Sequence, residues 1–230
     1  MMIKKILSIL LVLFALHTTK IYAQRIMGEA IFGMNLSKIE GDLINNGSFK
    51  FNKPGLNLGV GAIVPINDLF AINVQTIFSQ KGAYQNYGPY ADSARPYYKT
   101  RLDYAEVPIL FSYHDKNGLT FSTGLAYSRL VRAQWTVNGR EVSNSTSDGY
   151  FSLNNLDWIA DFKYKVWRNA QINIQYQYGI TSVWSGNEED LLVTQGGVVQ
   201  KPFQQNSTLS FRVVWLFGEM QSKQVREGVE

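Results

Sequence analysis

The most constraining stretch is Ala170 to Thr181, Ala-Gln-Ile-Asn-Ile-Gln-Tyr-Gln-Tyr-Gly-Ile-Thr. Ile172, Ile174, Tyr176, Tyr178 and Ile180 fall on one face of a strand, and Gln171, Asn173, Gln175, Gln177 and Gly179 on the other. A soluble sheet would bury the apolar face under a second layer. Many segments here share the pattern, and no helix-forming stretch is available to cover them. The apolar faces therefore read as facing lipid, with the polar faces lining a narrow barrel.

The pattern recurs in eight segments: about Ile26 to Leu36, Gly55 to Val64, Leu69 to Lys81, Arg101 to His114, Leu119 to Arg132, Leu153 to Val166, Ala170 to Thr181 and Ser207 to Phe217. Their connections alternate. Long polar stretches cover Ser37 to Lys53, Gly82 to Thr100, Ala133 to Ser152 and Ser182 to Asn206. Short turns sit at Pro65-Ile66-Asn67-Asp68, Asp115-Lys116-Asn117-Gly118 and Trp167-Arg168-Asn169. The layout predicts an all-β fold: an eight-stranded antiparallel up-and-down transmembrane β-barrel with four long extracellular loops and three short periplasmic turns. An even strand number puts both termini in the periplasm.

The chain opens with Lys4 and Lys5, an apolar run from Ile6 to Leu16, and Ala23 at a small-residue cleavage position. The run is too short to span a bilayer, so residues 1–23 read as a signal peptide. Residues 24–217 are then the barrel and 218–230 a polar periplasmic tail. No cysteine is present, which excludes disulfides and thiolate chemistry. Loss of Lys4, Lys5 and Lys20 with the leader takes 22 Lys plus Arg to 19, against 18 Asp plus Glu, a balance that offers no nucleic-acid signature.

Charge fixes the register. On the sixth segment Leu156, Trp158, Ala160, Phe162, Tyr164 and Val166 point one way, and Asp157, Asp161, Lys163 and Lys165 the other. A slip of one residue would expose four charges to hydrocarbon, at roughly 2–4 kcal/mol for each Lys or Arg near the midplane. The interior set is then Glu29, Lys81, Glu106, Asp157, Asp161, Lys163, Lys165 and Arg212. A barrel this narrow is filled by its own side chains, so the expectation is a structural charge network through Glu29, Glu106, Asp161, Lys163 and Arg212. Glu29 and Arg212 are expected to pair where the first and last strands meet. Aromatic girdles are expected from Phe70, Tyr113, Trp167, Trp215 and Phe217 on the turn side, and from Tyr104, Tyr127 and Tyr178 nearer the loops.

The fourth segment contains Tyr104-Ala105-Glu106-Val107-Pro108-Ile109-Leu110. It resembles the Tyr-x-Glu-(Ile/Val)-Pro-(Leu/Ile)-Leu segment of the PorT-like outer-membrane β-barrel family of Bacteroidota. The resemblance implies an eight-stranded outer-membrane barrel, and the family name carries a link to secretion and gliding motility. Independently of it, Pro108 lacks a donor and belongs where the ladder is weak, while Glu106 points inward to a lumenal base.

Catalytic candidates are few. His114 is the one histidine outside the leader, and it falls at a periplasmic turn beside Asp115. No nucleophile-elbow, zinc-helix or phosphate-loop pattern appears, so no catalytic residue, metal or cofactor is expected. The second loop holds Tyr84, Tyr87, Tyr90, Tyr97 and Tyr98, a candidate contact surface or a packing cluster over the barrel mouth. The same loop carries Asp92-Ser93-Ala94, a weak glycosylation-like tripeptide, and the fourth loop Glu188-Glu189-Asp190, a solvated or cation-holding trio. These features predict a non-enzymatic outer-membrane barrel in contact with outer-membrane lipid or lipopolysaccharide. Protein partners would dock through its loops, outer face or tail. A small ligand- or lipid-binding barrel or a narrow-pore transporter is the alternative.

Overall fold

The computed structural model describes residues 26–42, 51–85, 97–187, 191 and 201–217. The expected leader (1–23) and tail (218–230), Tyr87, Tyr90, the 92–94 tripeptide and the 188–190 trio lie outside these residues. Among them are nine strands: β1 (Met27–Glu40), β2 (Lys53–Pro65), β3 (Phe70–Gln85), β4 (Tyr98–His114), β5 (Leu119–Val137), β6 (Arg140–Ser143), β7 (Asn154–Lys165), β8 (Ala170–Gly179) and β9 (Gln205–Phe217). Each barrel strand pairs antiparallel with its neighbours, β1 pairs with β9, and β4 pairs with β5. Eight strands thus close a cylinder, and β6 is a short flap hydrogen-bonded to the far end of β5.

That flap corrects the expectation of a third irregular loop. β5 runs to Val137, turns through Asn138 and Gly139, and returns as β6. Both turn residues have positive φ, 50° and 76°. This is the two-residue geometry that Asn-Gly favours, because its twist matches that of the flanking strands. A single 3-10 turn, Thr146–Asp148, follows the flap and is capped by Ser145. The first loop begins later than the polarity suggests, since β1 runs on to Glu40, and the second is shorter at both ends, since β3 runs to Gln85 and β4 begins at Tyr98.

Two of the three short turns are held by their own side chains, and the third, at Trp167-Arg168-Asn169, by backbone bonds from Val166 N and Trp167 N to the Ala170 carbonyl. Asn67 Oδ1 accepts from the amides of Leu69 and Phe70 at 2.9 and 2.8 Å, and Asp115 Oδ2 accepts from Asn117 N at 3.1 Å. Gly118 takes a φ of 81°, a conformation L side chains rarely adopt.

Outward positions form an apolar belt. Phe32, Val60, Ile109, Phe121, Ile172 and Val213 are each half or more exposed, whereas Asn73, Gln75, Asn173 and Gln175 on the inner faces are buried. One lipid-facing polar pair is satisfied within the wall. Trp158 Nε1 donates to Thr123 Oγ1 at 3.1 Å, and that hydroxyl donates to the Ile159 carbonyl at 2.9 Å. Pro108 coincides with a gap in the β3–β4 ladder: pairing stops at Val74–Ile109 and resumes at Ile77–Glu106. The β5 side, where Pro108 faces Ala126, stays in register.

Candidate functional site

The inner faces build a filled lumen in three tiers. Nearest the periplasm, Lys163 Nζ lies 3.2 Å from Glu29 Oε2, and Gln75 donates to Glu29 Oε1 at 2.6 Å. Arg212 Nη2 lies 2.8 Å from Asp161 Oδ2, Arg212 Nε donates to Asn173 Oδ1, and Asn173 Nδ2 donates to Asp161 Oδ2 at 2.8 Å. Met27, Ile31, Ile63, Ala71, Ile77, Val214 and Leu216 pack the rest of this end.

The central tier is organised around Lys81. Its ammonium lies 2.6 Å from Glu106 Oε1 and 3.2 Å from Asp157 Oδ2, all three side chains being fully buried. Gln177 donates to Asp157 Oδ2 at 2.8 Å. Ser128 Oγ stands 2.8 Å from Asp157 and 3.3 Å from Glu106, and its single proton serves one carboxylate at a time. The Tyr104 ring lies over the ammonium, 5.4 Å from Nζ to centroid, and its hydroxyl accepts from Asn155 and Asn206 at 3.4 and 3.3 Å. Pairing of this quality is what makes buried charge tolerable at all, since desolvation costs several kcal/mol per ion.

Above it the lumen is closed by rings. Trp135 contacts Tyr150, Phe151 and Trp184 edge-on, with centroids 5.4, 6.1 and 5.5 Å away. Ile39, Tyr98, Leu102, Leu130 and Val183 complete the cap. A bridge between Phe151 and Trp184 pins the two loop segments that deliver these side chains.

Several expectations need correction. Glu29 and Arg212 do not pair with each other. The β1–β9 register sets Arg212 opposite Gly33 and Glu29 opposite Leu216, so each finds its partner on β7 instead. Tyr104 is no girdle residue: it shares the parity of Glu106 and is wholly buried. Tyr98, on the same parity again, is buried in the cap and offers no contact surface. Tyr84 and Tyr97 remain partly exposed and meet edge-on at 6.1 Å. Lys165 lies at the periplasmic mouth and is exposed. His114 ends β4 on the periplasmic side, with Nδ1 2.9 Å from Thr120 Oγ1. Among the described residues no three His, Cys, Asp or Glu side chains form a metal-holding group.

A cylinder of eight paired strands, greasy outside and hydrogen-bonded inside, is matched at residues 23–185 by the family model of the outer membrane protein beta-barrel domain. The chain belongs to this family. β9 lies beyond the matched range, yet its pairing with β1 closes the same cylinder. The protein is an integral β-barrel of the outer membrane in which β1 begins and β9 ends at the same, periplasmic, mouth. Its lumenal carboxylates are held in ion pairs and hydrogen bonds, and His114 stands apart from them at a turn. Among solved structures it is similar to Ail, the attachment invasion locus protein of Yersinia pestis, at 13% identity and a TM-score of 0.47 over 83% of this chain and 98% of that one. It is also similar to Neisserial surface protein A (15%, 0.42, 83% and 94%) and to CarO of Acinetobacter baumannii (10%, 0.43, 82% and 97%). No curated protein matches the sequence.

Proposed function

We propose that this outer-membrane barrel is an interaction protein, a subunit or accessory of a larger outer-membrane assembly that works through its outer wall, loops and tail. The observation that carries the reading is the plugged lumen. Lys81, Glu106 and Asp157 fill its centre and the Trp135–Trp184 cluster its extracellular end, so conduction or ligand capture along the axis would require dismantling buried ion pairs. What is left for function is surface. The Tyr104–Leu110 segment, which resembles the PorT-like barrels of Bacteroidota, supports a secretion- or motility-related assembly as the finer form of this reading.

Purification from native membranes in mild detergent, followed by mass spectrometry, tests it. Discrete partners at fixed stoichiometry are expected, and removal of residues 218–230 identifies any that dock on the tail. A barrel that purifies alone and conducts in planar bilayers would overturn the reading.

A second reading, a lipid-binding barrel, has one feature in its favour. A concavity of about 510 Å³ opens on the outer wall, lined by Phe111, Phe121, Ala160, Phe162, Ile174 and Tyr176. Its lining is mostly apolar and aromatic, which suits an acyl chain.

A further inference from the structure

Among the described residues, the outer wall changes character at its extracellular end on one side only. On β5 the lipid-facing sequence runs Phe121, Leu125, Tyr127 and then Arg129. Eight residues at about 3.3 Å of rise and a tilt near 40° lift Arg129 roughly 20 Å above Phe121, to the height of the outer-leaflet headgroups. Just beyond, the register slips. Leu130 faces Tyr104 and Arg132 faces Asp103, leaving Val131 as an extra residue. This bulge turns both Val131 and Arg132 outward, and both are exposed.

β4 matches this pattern. Above Val107 and Ala105 the same parity carries Asp103, which is buried, then half-buried Arg101 and exposed Lys99. Asp103 is taken by Arg101 in a two-pronged pair, Nε to Oδ1 at 3.0 Å and Nη2 to Oδ2 at 2.9 Å. Arg129 donates to Asn154 Oδ1 at 2.6 Å, a neutral acceptor that leaves its charge unmatched. Arg132 and Lys99 are exposed and have no carboxylate partner among the described residues. Lys53, at the head of β2, is close enough to Arg101 and Lys99 to feel their charge.

Among the described residues, the far wall at this height is neutral. Lys38 and Glu40 pair at 2.9 Å on β1, and Tyr178 donates to Gln205 at 2.9 Å between β8 and β9. Self-repelling cations therefore gather on one wall, directly above hydrocarbon-facing rings. The ligand that complements them is anionic, laterally mobile in the outer leaflet and anchored by acyl chains. We propose that Lys99, Arg129 and Arg132, flanked by Arg101 and Lys53, bind the phosphates of an outer-leaflet glycolipid. The guanidinium fork matches phosphate oxygens, and the apolar wall beneath accepts the lipid's chains.

The test uses the full folded chain in neutral detergent and titrates it with diphosphoryl lipid A, read by native mass spectrometry. Parallel titrations use monophosphoryl lipid A, phosphatidylglycerol and inorganic phosphate. Heat-dependent migration on gels verifies folding of each variant. The K99Q/R129Q/R132Q variant should bind diphosphoryl lipid A about a hundredfold more weakly, at about tenfold or less per cation near a charged surface. K116Q/R168Q, which removes exposed charge from the periplasmic turns, should bind as the parent does. Monophosphoryl lipid A should bind more weakly than the diphosphoryl form, and raised salt should weaken both. Should the triple variant not fold, R132Q alone should show a loss of about fivefold. Equal binding by parent and variant, equally tight binding of phosphatidylglycerol, or competition by inorganic phosphate at matched concentration would each overturn the proposal.

Discussion

Charge occurs in two places in this barrel, and the protein treats it in opposite ways. In the membrane-spanning lumen, Glu29, Glu106, Asp157 and Asp161 meet Lys81, Lys163 and Arg212, and every one of these side chains has a partner within 3.2 Å. On the extracellular rim of β4 and β5, among the described residues, Lys99, Arg101, Arg129 and Arg132 have a single carboxylate partner, Asp103, which Arg101 takes. The residue types are the same in both places. Burial makes pairing compulsory inside, because an orphaned ion has no water to fall back on. Exposure removes that demand outside, so an unbalanced cluster survives there without harm to the fold. Interior charge in this molecule is therefore structure, and rim charge is available for binding.

Substitutions can break that contrast. The largest effect should come from Lys81→Met, which leaves Glu106 and Asp157 facing each other without their shared cation. Removal of one partner from a buried pair costs roughly 3–5 kcal/mol, visible as a lower urea midpoint for the barrel in lipid vesicles. A shift no bigger than that of a surface variant would show that the tier is solvated. Next is Leu125→Arg, which puts charge on the lipid face one residue from the buried Ala126. It should cost about 2–4 kcal/mol by the same assay. Were it neutral, the facing assignment of β5 would be wrong.

Smaller effects sharpen the comparison. Tyr104→Phe deletes the hydroxyl that Asn155 and Asn206 both reach while keeping the ring over Lys81. About 1–2 kcal/mol should be lost, and the Asn155 and Asn206 side-chain amide resonances should shift in solution spectra. Smallest of all, Arg132→Gln should leave stability within about 0.5 kcal/mol of the parent. A loss as large as that of Lys81→Met would mean that the rim is a structural network after all.

The face each residue occupies was legible in the sequence, because a period of two with polar residues on one side admits one register. Asp157, Asp161 and Lys163 lie inward for that reason. The same rule, carried consistently along β4, places Tyr98, Tyr104 and Glu106 together. The girdle assignment of Tyr104 set it aside in favour of the generic habit of tyrosines at interfaces. Asn138-Gly139 likewise carried a hairpin signal within a stretch read only as polar loop. Pairing across the lumen was not legible. Alternation fixes which way a side chain points, but a closed barrel is sheared, so equal distances from the turns are unequal heights. Glu29 therefore finds Lys163 on β7, and not Arg212 on the adjacent strand. The rim also went unread, since its cations come from strands whose alignment depends on the Val131 bulge.

The central claim is that one face of this sheet is dissolved in hydrocarbon and the other is sealed from it. The native tryptophans test it directly. Trp158 faces outward in the belt, and Trp184 is buried in the cap. In single-tryptophan variants reconstituted with lipids brominated on their acyl chains, Trp158 fluorescence should be strongly quenched and Trp184 fluorescence left nearly unchanged. Equal quenching of the two, or a silent Trp158, would contradict the architecture on which every other inference rests.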